Sequence, residues 1–209
     1  MKGRGIVSVY LWGFVLTSDF VPTSSDADAV ALVTDLVTSV DEREAKARLA
    51  SGVPNLRINF IYLSELNGSR TRGGLASVVS PRLLLSDFPY WKHIAGQRYV
   101  ADDFDLDPAD EQGAIGLELD VIRKRFLPGF AKGDFSDAEY FGKNVSRMLH
   151  YIHAARNGES AFSYGALTQE ANSATSEVAR TLIDWKKNGW SSHYLQGNWK
   201  IFSDFLNRL

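Results

Sequence analysis

The chain has 209 residues with 44% hydrophobic content, enough to bury a core without metal or disulfide support. The absence of cysteine excludes a disulfide framework, thiolate metal sites and a cysteine nucleophile, and suits a reducing compartment, so the cytoplasm is the expected location. A formal net charge of -2 and a pI near 6.1 exclude a protein that coats nucleic acid non-specifically, and leave only a local basic surface for such contact.

IVSVYLWGFVL (6–16) is dominated by β-branched and aromatic residues and is too short to cross a bilayer; it predicts a buried first strand, and no membrane contact is expected. SSDADAVALVTDLVTSV (24–40) offers Ser24, Ser25 or Asp26 as a cap, and Val30, Val33, Leu36, Val37 and Val40 recur at helical spacing. A helix is expected there, continuing through DEREAKARLAS to Gly52 and Pro54 and followed by a strand over NLRINFIYLS (55–64). The loop over 67–74 contains Ser69, Arg70 and Arg72 among glycines and is the candidate anion-binding loop, although an exposed surface loop is the more ordinary reading. LASVVS and RLLLSDF, separated by Pro81, read as two strands.

Asp107 as cap, Pro108 in the first turn and Pro128-Gly129 as a stop predict a helix over 107–127. GFAKGDFSD (129–137) reads as a connector, dividing a mixed α/β domain over 1–137 from a second domain over 138–209. The fold class expected is α+β.

Beyond the connector, AEYFGKNVSRMLHYIHAARNG predicts one amphipathic helix with Tyr140, Val145, Met148, Leu149 and Ile152 on its apolar side. Tyr164, Leu167 and Ala171 then mark a short helix, and Val178, Leu182, Ile183 and Trp185 a longer one that ends at Gly189. SSHYL and NWKIF flank Gln196-Gly197 and suggest a hairpin. The order helix, helix, turn, helix, hairpin resembles the winged helix-turn-helix superfamily over the last third of the chain. The resemblance implies a recognition helix over 174–188, a wing over 191–203, and a DNA-binding protein, such as a transcriptional regulator. On that implication Ser176, Arg180, Lys186, Lys187 and Lys200 contact duplex DNA, with Arg180 the fork-shaped donor for a base edge. The local charge is compatible but thin, eight Lys or Arg against six Asp or Glu over 138–209.

Motifs for chemistry are scarce. The acids Asp102, Asp103, Asp105, Asp107, Asp110 and Glu111 fail the EF-hand spacing, with Pro108 where glycine is needed. His150 and His153 share a helix face but lack the accompanying glutamate of a zinc protease, so no metal site is expected. No catalytic residue and no cofactor are assigned. Two alternatives stand beside DNA binding: a non-catalytic interaction module, an inhibitor or assembly factor that binds a protein partner or a second copy of the chain, and an enzyme acting on a phosphate-containing substrate.

Overall fold

The computed structural model describes residues 5–16, 27–53, 55–68, 74–77, 79–157, 164–168 and 173–209. The chain divides into two compact units, Met1–Ala109 and Asp110–Leu209, so the break precedes the helix at 111 and the expected connector at 129–137 lies inside the second unit.

Among the described residues the first unit is built on four strands, β1 (Ile6–Trp12), β2 (Ala27–Val33), β3 (Leu56–Tyr62) and β4 (Lys92–Gly96), in the order β3-β2-β1-β4. β1 runs antiparallel to β2 and β4, and β2 runs parallel to β3. A parallel pair needs a crossover, and α1 (Ser39–Gly52) provides it, while β3 leads directly into the short α2 (Leu63–Leu66). Ala29 to Val33 are all buried, as a strand covered on both faces requires. One face packs Ala31, Val33, Phe60 and Tyr62 against Val37 and Ala45.

The helix expected over 24–40 is therefore corrected. Its cap candidates Ser24, Ser25 and Asp26 lie outside the described residues, but residues 27–33 form β2 and the helix starts at Ser39. Leu36 and Val40, two members of the supposed stripe, are exposed. The true start is a capping box: Asp41 N–H donates to Thr38 Oγ1, and Thr38 N–H donates to Asp41 Oδ2 at 2.8 Å. The two strands expected around Pro81 are also replaced. Gly74–Ser77 is a 3-10 turn, and Pro81 opens α3 (Pro81–Asp87), where its missing N–H costs nothing and Leu83, Leu84 and Leu85 are buried.

The second unit is helical: α4 (Glu111–Val121), a π-helical turn (Ile122–Phe126), α5 (Leu127–Phe130), α6 (Ala138–Asn157), α7 (Tyr164–Thr168), α8 (Ser173–Lys187) and α9 (Ser192–Leu206). α4 is capped by Asp110, not Asp107, through the Gly113 N–H at 2.7 Å. Pro128 does not stop the helix, because it falls in the first turn of α5. Phe141 on α6 is the hub of an aromatic core, with ring centroids 5.1 Å from Phe130, 5.7 Å from Phe202, 5.8 Å from Trp199 and 6.3 Å from Trp185.

α6 and α8 match their expected spans, with Leu149, Leu167, Val178, Leu182 and Trp185 buried together in this unit, while Tyr140 is exposed. The hairpin is absent: residues 192–206 form one helix whose Leu195, Phe202, Phe205 and Leu206 are buried at helical spacing. That continuous stripe outweighs the roughly 1 kcal/mol helix penalty of Gly197. The class is thus α+β, without the wing.

Candidate functional site

Residues directly opposite one another in a sheet point to the same face. At one end of the sheet, Asp28 on β2 stands between Trp12 on β1 and Arg57 on β3. Asp28 is the single carboxylate in the four strands. It is half-buried and Arg57 is exposed, so a carboxylate and a guanidinium share one accessible strand-end surface. Directly after Trp12 the chain turns at Gly13, whose φ of 78° suits glycine and whose hypothetical Cβ would lie 3.8 Å from Asp28 Oδ2. Backbone here can approach a ligand held at the carboxylate.

One pleat further in on the same face, Val30 stands beside Tyr10, and Tyr10 beside His93. Tyr10 packs against Phe88, Trp91 and His93 with centroids 5.2, 6.0 and 5.2 Å away, and Trp91 lies 6.0 Å from Trp12. Tyr10 is fixed by the Tyr99 N–H, which donates to its hydroxyl at 2.8 Å. Within this aromatic group Trp91 Nε1 and His93 Nε2 are buried without a hydrogen-bond partner. Buried polar atoms are nearly always satisfied, so two together mark a place where a further polar group belongs.

The arrangement suits a polyphosphate. A guanidinium pairs with phosphate oxygens, and aromatic surface beside it suits a planar or ring-bearing ligand. Mg²⁺ keeps several waters and binds through one or two carboxylates plus substrate phosphates, so Asp28 fits a cation that arrives with a phosphate-bearing ligand. Among the described residues no three His, Asp or Glu side chains converge as a self-sufficient cation cage.

No family model and no curated protein matches this chain. Among solved structures, it is similar to the spectinomycin adenyltransferase AAD(9) of Enterococcus faecialis, crystallised with ATP and spectinomycin. The likeness has a TM-score of 0.58 at 11% identity and covers 98% of this chain and 91% of that one. The likeness is one of fold. It accounts for both units together, whereas the DNA-binding reading rested on the last third alone.

The likeness to an adenyltransferase over nearly the whole chain overturns DNA binding as the function, and one of the proposed contacts is buried. Ser176 is 1% exposed and cannot meet a phosphate. Lys200 lies on α9 and pairs with Asp204, not on a wing, and Lys187 pairs with Asp184 at 3.4 Å. Lys186 is half-buried, and Arg180 is exposed, with no ion pair among the described residues. Ser69, Arg70 and Arg72 lie outside the described residues.

The acidic segment does structural work. Asp103 accepts from the Val100 N–H at 2.8 Å, and the Asp107 carbonyl accepts from Arg82 at 3.1 Å. Sequence reading passed over Asp28 because it assigned the segment to a helix, where Trp12, Asp28 and Arg57 have no common face. The missed signal was the acid-apolar alternation of DADAV.

Among the described residues, no helix is long and apolar enough to cross a membrane.

Proposed function

We propose that this protein is a nucleotidyltransferase that binds ATP with Mg²⁺ and transfers the adenylyl group to a hydroxyl of a small acceptor. The observation that carries the reading is the likeness to an adenyltransferase over nearly the whole chain, with Asp28 and Arg57 together at a strand end. This is the enzyme on a phosphate-containing substrate that the sequence allowed as an alternative, with charged residues supplied by the strands. A cytoplasmic location agrees with such a substrate.

In this mechanism the acceptor oxygen bonds to the α-phosphorus, the bond to the bridging oxygen breaks, pyrophosphate leaves, and the hydroxyl proton passes to solvent. Bound Mg²⁺ would supply charge neutralisation on the phosphates, held from the protein side by Asp28. Arg57 pairs with phosphate oxygens, and Gly13 leaves room for them beside Asp28.

Calorimetric titration with ATP in Mg²⁺ tests the binding step. Wild-type protein should bind saturably, and Asp28→Asn should weaken binding by about 10-fold or more, as loss of a metal-linked contact does. Absence of ATP binding in folded wild-type protein would remove the proposal.

A further inference from the structure

A cavity of about 290 Å³ opens on the helical unit between the first turns of α8 and the last turns of α9. This is the small end of the range for ligand pockets, roughly 300–1,000 Å³. Ala174 and Val178 on α8 and Ile201 and Phe205 on α9 supply its apolar surface. Four charged side chains complete the lining: Glu177, Lys200, Asp204 and Arg208. Lys200 and Asp204 neutralise one another. Glu177 and Arg208 are different: both side chains are exposed, and among the described residues neither makes an ion pair or a side-chain hydrogen bond. The cavity therefore presents one unpaired negative charge on its α8 wall, one unpaired positive charge just past the end of α9, and apolar surface beside them.

We infer that this cavity binds a small zwitterion with an apolar body, of the class of a free α-amino acid with a branched or aromatic side chain. Glu177 takes the ammonium, Arg208 takes the carboxylate in its planar fork, and the side chain covers Val178, Ile201 and Phe205. A simple anion leaves Glu177 unmatched, a simple cation leaves Arg208 unmatched, and a purely apolar ligand leaves both. The site lies within one unit, uses none of the residues at the strand end, and stands or falls independently of nucleotidyl transfer.

The test is a titration of the full chain followed by amide chemical-shift changes, using leucine and phenylalanine as zwitterions. N-acetyl-leucine, leucinamide and glycine are the controls that lack the cation, the anion and the apolar body. Leucine or phenylalanine should shift α8 and α9 amides saturably, and each control should bind at least about tenfold more weakly, roughly 1.4 kcal/mol. Glu177→Gln should abolish the preference for leucine over N-acetyl-leucine, and Arg208→Gln the preference for leucine over leucinamide. Both replacements are on exposed side chains and leave the core intact. Ile201→Trp, which fills the cavity while keeping both charges, should block all of these shifts. No saturable shift with either zwitterion, equal binding of the blocked forms, or binding that survives Ile201→Trp would overturn the assignment.

Discussion

At the scale of single residues, charge and burial decide what each side chain is for. Glu118 on α4 is fully buried and its carboxylate accepts from Arg147 Nε at 2.6 Å, while the Arg147 Nη2 also donates to Asn144 Oδ1 at 2.9 Å. Truncating the cation strands a buried anion. Arg147→Met should thus cost about 3 kcal/mol in denaturant unfolding, and adding Glu118→Leu should recover most of the loss, since an apolar pair can replace a buried ion pair. At the surface, Asp41 in the capping box is held below its ordinary value of 3.8, chiefly by the Thr38 backbone N–H and then by the Thr38 hydroxyl. A carboxyl with a lowered folded pKa adds stability above the unfolded value and loses it as pH falls through the folded one. Thermal unfolding from about pH 5 downward should show this loss, and Thr38→Gly, which disturbs the cap, should make the acid limb shallower.

At the scale of elements, the misread segments share a physical cause. A short apolar run covered on both faces has no period of its own, so AVALV could be read as helix or strand, and only the Thr38 to Asp41 cap marks where the helix begins. The long helices α6 and α8 were legible because each carries a sustained apolar stripe against a polar face. α9 has an equally good stripe, but Gln196-Gly197 imitated a hairpin turn and the local signal was preferred to the longer one. The two readings of this element differ in a measurable way. Gly197 is exposed mid-helix with nothing near its hypothetical Cβ, so Gly197→Ala should stabilise the protein by roughly 0.5–1 kcal/mol, whereas a turn glycine would make it destabilising. Gly142 on α6 behaves oppositely: its Cβ would strike the Trp190 and Trp185 rings, so Gly142→Ala should cost about 1–3 kcal/mol as overpacking. Asp28 was in plain view, yet its partners Trp12 and Arg57 are 16 and 29 residues away in sequence and meet it only through strand register.

At the scale of the whole molecule, the likeness to an adenyltransferase spans both units, and that span replaces a reading built on one of them. Because Trp185 is fully buried in the helical unit, Trp185→Ala should lower stability by about 3–5 kcal/mol. The proposed role of the strand-end surface of Asp28 and Arg57 is to handle a nucleotide for transfer. It is tested most directly with ATP labelled at the α-phosphorus, in Mg²⁺, against a panel of hydroxyl-bearing acceptors that includes spectinomycin. Pyrophosphate release matched by label on an acceptor is expected, with kcat/KM reduced by about 100-fold or more in Asp28→Asn, the range for a lost charge partner in the transition state. Label transfer that is unchanged in folded Asp28→Asn, or ATP that is bound but never cleaved with any acceptor, would contradict it.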